Sequence, residues 1–353
     1  MNSRSKAALL AVAILPLLAA CVGGTPATEG SASTDPNAEG SANTAVETVE
    51  LRFSTASTPA QHHTKAAYRF AELVEELSDG SVIVEVFDSG SLYDQTSEQQ
   101  ALVAGQLDMA YTSPEWLSER VPAISIVIVP FLVDGADHLY AVMESDLGQG
   151  LIQSAVDQAG IRVLTTLTLG TRQLNLNDSV GRVMTPADLE SVNLRVPNSP
   201  SWIRMGNALG ANPTPVAFNE LYLALQTGTV DGQDNPLATT IDAKFYEVTS
   251  QISLTGHLAG MVMPAINEEV WQSLTSGQQE AIQTAWIQAR DYGTEIAKKE
   301  ESEAVEFLKS EGLDVYEPDR EAFREHVLAQ YLDDEELTGQ WPNGALDTIE
   351  ALR

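Results

Sequence analysis

The 353-residue chain has a single cysteine and few cations, with 19 lysines and arginines against 50 aspartates and glutamates and a formal net charge of −31. One cysteine excludes an intrachain disulfide and a thiolate metal site. The shortage of cations argues against nucleic-acid binding, because a phosphate backbone needs clustered lysine and arginine. GxSxG, HExxH, Walker and CxxC motifs are also absent, so the sequence predicts no cofactor and none of the catalytic sites that these motifs mark.

A long apolar run occurs at the N-terminus, where two cationic residues precede the apolar stretch 7–18. This order is typical of a signal peptide, predicted here over residues 1–21. The letters LAAC at 18–21 resemble a bacterial lipobox, whose cysteine is lipidated after cleavage. A lipid on Cys21 would hold the protein on the outer face of the membrane. The alternative is an ordinary secretory peptide with a chance cysteine.

The segment 22–49 is rich in glycine, serine, threonine and alanine and poor in large apolar residues. Such a composition buries too little surface to fold, so we predict a flexible linker.

Strand-like and helix-like patterns alternate from residue 50 onward. This alternation predicts an α/β fold with a largely parallel sheet and crossover helices. The predicted strands are 50–54, 81–87, 107–111, 124–130, 161–167, 193–196, 214–216, 230–233, 251–254 and 313–316. The predicted helices before residue 250 include 59–78, 94–104, 199–209 and 218–226.

A long helical pattern begins at a capping residue, Thr275, which has Gln278 three positions on, and continues to about Ser310. At 1.5 Å per residue such a helix spans roughly 50 Å, which is enough to lie across two domains. A chain of this length most often divides into two domains. We expect lobe I to contain 50–170 and 258–300, and lobe II to contain 171–257 and 301–353.

Arg195 and Asn235 stand at the ends of two predicted strands. Open α/β sheets usually bind ligands at such strand ends. The guanidinium of arginine is a fixed fork of donors that matches a carboxylate. The stretch therefore predicts a clamp for a small carboxylate. Two plainer alternatives are a solvated Arg195 and an Asn235 that only caps the helix after it.

The run RVPNSPSWIRMGNALGANPTPVAFNELYLALQTGTVDGQDNPLAT at 195–239, with KFYEV at 244–248 and TGH at 255–257, resembles the substrate-binding subunit of TRAP transporters, the tripartite ATP-independent periplasmic systems. The resemblance extends more loosely over about 50–352. It implies a two-lobed periplasmic-binding-protein-like fold with one long helix spanning both lobes. It further implies a binding protein, not an enzyme, which passes a sugar acid such as a uronate, or a C4-dicarboxylate, to an ion-gradient-driven membrane permease.

The resemblance also assigns residues to the ligand. The carboxylate-binding arginine of the family falls on Arg195, the asparagine that assists it on Asn235, and a second arginine on Arg172. Sialic-acid binders of the family carry a polar or charged residue where this chain has Ala56, which argues against sialic acid. The remaining candidate ligand contacts are Asn198, Phe218, Ser113 and His62.

Other interpretations stay open at this point. Phe218 is equally well a core residue, and His62 and His63 fit a solvated first helical turn. A secreted hydrolase or lyase would use a histidine and carboxylates such as His62, Glu220 or Asp234. The same binding fold also serves as the input of a sensor. The aspartates of DGQDN at 231–235 lack the ligand series and the terminal glutamate of a calcium loop, so no metal is predicted.

Overall fold

The structure is a computed structural model that describes residues 48–353. The predicted signal peptide, Cys21 and most of the predicted linker lie outside these residues. Val49, the last residue of that linker, belongs to the first strand. Within residues 48–353, every helix is too short or too polar to cross a membrane.

The described residues form ten strands and thirteen α-helices, joined in places by short 3-10 turns. The strands are β1 Val49–Ser54, β2 Val82–Phe87, β3 Met109–Thr112, β4 Ile161–Val163, β5 Leu167–Leu176, β6 Asn193–Val196, β7 Asn212–Pro215, β8 Gly232–Pro236, β9 Gln251–Asn267 and β10 Asp314–Tyr316. The helices are α1 His62–Leu77, α2 Gln95–Val103, α3 Pro114–Leu117, α4 Gly135–Glu144, α5 Asp146–Ala159, α6 Pro200–Ala208, α7 Leu221–Gln226, α8 Leu237–Asp242, α9 Glu268–Ser273, α10 Ser276–Ser310, α11 Arg320–Leu332, α12 Glu335–Thr338 and α13 Ala345–Ala351.

The strands follow the order β2-β1-β3-β9-β5-β8-β6-β7, and β4 and β10 pair with β9 beside this path. The outer pairs are parallel, as predicted: β1 with β2 and β3, and β6 with β7 and β8. The prediction of a largely parallel sheet is wrong in the middle, where β9 runs antiparallel to β3 and β5, and β5 runs antiparallel to β8. The α/β class is confirmed.

Strand β9 is 17 residues long, whereas the apolar pattern predicted a strand that ended at residue 254. Its last residues pair with β3 and β4, and its first residues pair with β10. We call the half of the sheet with β1–β4 the first lobe and the half with β6–β8 and β10 the second lobe. Strands β5 and β9 run through both, so the two lobes share a continuous backbone connection.

The segment Pro122–Ile128 forms a 3-10 helix, so the strand predicted at 124–130 is wrong. A short apolar run does not distinguish a buried strand from a buried helical turn. This segment also contacts the C-terminus, where Trp341 Nε1 donates to Ser125 Oγ at 2.9 Å. The predicted boundaries place these two residues in different lobes, and those boundaries stay a prediction.

Helix α10 confirms the predicted long helix and its start. The Thr275 side chain accepts from the backbone of Gln278, whose side chain bonds back to Thr275. In the first third of α10, Trp286 is fully buried and stacks on Phe70 of α1, with ring centroids 4.2 Å apart. Toward its end, Leu308 is buried in an apolar cluster with residues of α8, β9 and the turn before β10. One helix is therefore packed into the cores of both lobes.

Candidate ligand-binding site

A cleft between the lobes holds about 760 Å³ of empty space, including its open mouth. It lies where β1, β3, β6 and β8 end, because the side chains that line it follow or close these strands. Parallel strands bring their carboxyl ends to one edge of a sheet, which is the usual ligand position in open α/β folds. Residues of the two lobes face each other across this space, among them Ala56 and Ser113 from the first lobe and Arg195 and Asn235 from the second.

Arg195, on β6, is a buried cation, only 1% exposed. Its Nε donates to the Val216 carbonyl at 2.8 Å, and its Nη2 donates to Gln95 Oε1 at 3.0 Å. Both partners are uncharged, and no carboxylate of the described residues forms a salt bridge with it. Burial lowers the pKa of Arg195 to about 9; the nearby charge of Asp234 opposes this effect, and that of Arg172 adds to it. The alternative of a solvated strand-end arginine does not hold, and the site contains a buried cation that no carboxylate of the described residues pairs with directly.

Arg172, on β5, lines the same cleft but has an anionic partner. Its Nε donates to Asp234 Oδ2 at 2.6 Å, and its guanidinium lies 4.4 Å from the ring centroid of Trp202. Asp234 is fully buried and also meets His257 Nε2 at 3.2 Å. Burial alone would raise the pKa of Asp234, but Arg172 and His257 hold it well below its usual range. The ion pair thus cancels the charge of Arg172.

Asn235 closes β8 and lines the cleft, with its Nδ2 donating to Gln233 Oε1 at 2.5 Å. Helix α8 begins without a side-chain cap, so Asn235 does not serve the capping role considered as an alternative. Phe218 and Ser113 also line the cleft. The Phe218 ring is half-buried, with its centroid 6.0 Å from the Arg195 guanidinium carbon, so it is not a simple core residue.

Two predicted ligand contacts are not in the cleft. Asn198 is exposed and does not line it. His62 is buried elsewhere: its Nε2 donates to the Thr168 carbonyl at 3.0 Å, and its Nδ1 lies 3.3 Å from Glu300 Oε2 of α10. Successive helical residues point about 100° apart, and the next residue, His63, is the one that lines the cleft. Both histidines are buried, so a solvated first turn is also wrong.

The residues suggested for a hydrolase or lyase do not come together. His62 lies against α10, Glu220 is exposed, and Asp234 is engaged by Arg172 and His257. Across residues 48–353 there is also no group of three or more histidine, cysteine or acidic side chains arranged to hold a metal ion.

Sequence reasoning missed several cleft residues. Gln95 of α2 accepts from both Arg195 Nη2 and the Phe218 backbone N–H, at 3.0 and 3.1 Å, and so joins the lobes across the cleft. Glu98 and Glu115 line the cleft as buried carboxyl groups, and burial raises the pKa of both. Burial likewise holds the pKa of His63 well below its usual value. No sequence pattern marks Gln95, Glu98 and Glu115 as cleft residues, because glutamate and glutamine in helices are normally solvated.

Comparison with known proteins places this geometry among solute-binding proteins. A family model described as bacterial extracellular solute-binding protein, family 7, matches residues 53–336. The sialic acid-binding periplasmic protein of Vibrio cholerae is 36% identical over 78% of this chain and 85% of its own length. A TRAP periplasmic solute-binding protein from Roseobacter denitrificans, solved with bound 3-deoxy-D-manno-oct-2-ulosonic acid, is similar with a TM-score of 0.81 and 41% identity, covering 87% of this chain and 100% of that one. A second protein from that organism, solved with L-galactonate, has a TM-score of 0.79 and 28% identity over 87% and 99% of the two chains.

Proposed function

This chain belongs to family 7 of the bacterial extracellular solute-binding proteins, and on that premise we propose that its cleft captures a sugar acid whose carboxylate pairs with Arg195. It is the solute-binding subunit of a TRAP transporter. Members of this family are binding proteins rather than enzymes and act outside the cytoplasm.

The observation that carries the proposal is the unpaired charge of Arg195. A buried cation is costly unless an anion and hydrogen bonds compensate for its lost hydration. Here the guanidinium meets one carbonyl and one amide oxygen, and neither supplies charge. A ligand carboxylate in the cleft would supply it, while Asn235, Arg172, Phe218 and Ser113 stand around the same space to contact the rest of the molecule.

The class of acid is supported by the relatives. Those described above bind sialic acid, 3-deoxy-D-manno-oct-2-ulosonic acid and L-galactonate, all of which are sugar acids. Ala56 lies in the cleft as a small apolar side chain, so sialic acid stays a disfavoured member of this class. C4-dicarboxylates are the competing class.

Capture would proceed by closure of the lobes around the acid, since a ligand shifts such an equilibrium through contacts that improve in the closed state. Gln95 supports this step, because it is a first-lobe side chain that accepts hydrogen bonds from two second-lobe groups, Arg195 Nη2 and the Phe218 backbone N–H. The loaded protein would then deliver the acid to the TRAP membrane permease, which an ion gradient drives. The segments 50–170 and 258–300 would move as one lobe, and 171–257 and 301–353 as the other.

A thermal-shift series tests the proposed function. The purified protein is heated with gluconate, galactonate, glucuronate and galacturonate, and with glucose and galactose as uncharged controls. A ligand at about 100 times its dissociation constant adds about 2.7 kcal/mol to the folded state, which we expect to raise the melting temperature for at least one acid and for neither sugar. Equal shifts with acids and sugars, or none with any acid, would contradict the proposal.

A lipid on Cys21 would keep the binding protein beside its permease. We expect the mature chain to partition with membranes and to incorporate a radiolabelled fatty acid. A Cys21→Ser variant should lose both properties. If labelling is equal in the variant, or absent from the parent chain, then Cys21 is not the anchor and the N-terminus is an ordinary secretory peptide.

A further inference from the structure

Two buried carboxyl groups line the first-lobe side of the cleft, opposite the arginines. Glu98 belongs to α2 and Glu115 to α3, and each is only 4% exposed. Glu98 Oε2 accepts from Ser54 Oγ at 3.4 Å. Glu115 Oε2 is buried and has no hydrogen-bond partner. Neither carboxyl group forms a salt bridge with another of the described residues, and Glu115 keeps one buried oxygen without a partner.

The cleft has one unpaired positive charge, which is enough for a single ligand carboxylate. Among the described residues its lining contains two arginines, Arg172 and Arg195, and no lysine. Asp234 already neutralises Arg172, and burial keeps His63 uncharged at neutral pH. Arg195 is therefore the one cation left for a ligand. A second carboxylate would have no cation to pair with and would lie in a cleft that also holds Glu98 and Glu115.

A carboxyl group in this position suits a ligand hydroxyl. It accepts from a hydroxyl when ionised and donates to one when protonated, whereas a neighbouring carboxylate pairs with it only by sharing a proton. A hydrogen bond from a ligand hydroxyl to the partnerless Oε2 of Glu115 would favour binding, because a buried polar atom without a hydrogen bond is costly. Sites built to bond a hydroxyl strongly reject analogues that lack it.

We propose that Glu98 and Glu115 read hydroxyl groups of the ligand and exclude a second carboxylate, so that the ligand is a polyhydroxylated monocarboxylate and not a dicarboxylate. This inference rests on the proposed function, since it takes Arg195 as the carboxylate anchor. It goes further by naming the residues that distinguish sugar monoacids from dicarboxylates, since either class could place one carboxylate on Arg195. Glu115 is the stronger determinant, because its free oxygen is the one without a partner in the protein.

The test compares monoacids with diacids of the same six-carbon chain, and adds one four-carbon diacid. Calorimetry at neutral pH would measure binding of gluconate, galactonate, glucuronate and galacturonate, of the matching diacids glucarate and galactarate, and of succinate. A carboxylate buried without a cation is costly enough to weaken binding about 100-fold or more. We expect at least one monoacid to bind and each diacid to bind at least about 100-fold more weakly. A diacid that binds within about tenfold of the best monoacid, in a manner that depends on Arg195, would overturn the inference.

Variants assign the discrimination to the carboxyl groups. Glu115→Gln replaces the carboxyl group with a neutral amide at nearly constant shape, and we expect it to reduce the gap between monoacid and diacid by about tenfold or more. Glu98→Gln is the second variant and should act in the same direction. The matched control is Glu119→Gln, an exposed position just after α3, which should leave the gap unchanged. If the difference in affinity between monoacid and diacid stays the same in both cleft variants, and circular dichroism shows that they are folded, then Glu98 and Glu115 do not determine specificity.

Failure of the proposed function would look different. In that case none of the acids would bind, or the binding that is measured would not change in an Arg195 variant. Failure of the inference alone keeps the Arg195 dependence and loses the preference for one carboxylate.

Discussion

An Arg195→Gln variant will lose tight binding of the sugar acid and will remain folded. Removing one partner of a buried charge pair at a binding site costs about 2–5 kcal/mol, which corresponds to about thirtyfold to several thousandfold in dissociation constant. The loss should be at the large end, because the guanidinium is almost fully buried and water cannot replace it. Calorimetric titration of parent and variant with the acid found in the thermal series measures this directly.

The ligand-free stability of the same variant separates a binding role from a folding role. Arg195 is a desolvated cation whose hydrogen-bond partners in the protein are neutral, and such a group contributes little or negatively to folding. We therefore expect the melting temperature of the ligand-free variant to equal or exceed that of the parent. Arg195→Lys should also bind weakly, because a lysine keeps the charge but not the fork of donors.

Arg120→Gln serves as the control, since Arg120 is exposed on the first lobe and forms no salt bridge among the described residues. It should keep both affinity and stability. If Arg195→Gln binds the acid normally, the carboxylate lies elsewhere in the cleft and Arg195 is a structural cation. If the variant unfolds, its loss of binding says nothing about the clamp, and Arg195→Lys then decides the question.

The elements that could be predicted from sequence are those with local causes. Helix α10 is marked at its start by Thr275 and Gln278, which do form the predicted capping box. The strands that carry Arg195 and Asn235 also have local causes, and both residues stand near the ends of β6 and β8 as the sequence predicts. The role predicted for Arg195 came from a long motif, whereas its burial and its lack of an anionic partner are consequences of tertiary structure.

The features that could not be predicted depend on contacts between residues far apart in the chain, or on a difference of one position along a helix. Gln95 reaches Arg195 from 100 positions away in the chain, and nothing near Gln95 announces that contact. His62 and His63 differ by one step of a helix, which decides that His63 and not His62 lines the cleft. Glu115 has the sequence context of a solvated helical turn, yet α3 packs it into the cleft. In each case tertiary packing overrides the local pattern.

Arg172 differs from Arg195 in having a buried anionic partner, so we expect the loss of that partner to affect stability. Its charge is held by Asp234, which His257 contacts in turn, and all three side chains are buried. Removing any one partner of such a triad would leave a buried charge uncompensated, and the pairing keeps Arg172 from acting as a second free cation. Charge and structure in this wall are therefore coupled, and a change at Asp234 disturbs both.

Asp234→Asn should be strongly destabilising. Breaking a buried ion pair by removing one partner costs about 3–5 kcal/mol, because it leaves the other charge buried and uncompensated. Urea denaturation at neutral pH measures the loss as a lower midpoint. The matched control is Asp178→Asn, an exposed aspartate in the loop that follows β5, which should leave the midpoint unchanged.

The pH dependence of stability, measured for the parent and for Asp234→Asn, tests whether the ionised Asp234 carboxylate causes this difference. The folded-state pKa of Asp234 is depressed by Arg172 and His257 against the effect of burial, so its carboxylate stabilises the fold above the unfolded pKa of about 3.9. That contribution is lost as the pH falls from about 4 toward the folded-state pKa. The parent should therefore lose stability over this acid range more steeply than Asp234→Asn, and the two should converge at the lowest pH. A variant that is as stable as the parent at neutral pH, but binds no acid, would instead mean that the Arg172–Asp234 pair serves the ligand and not the fold.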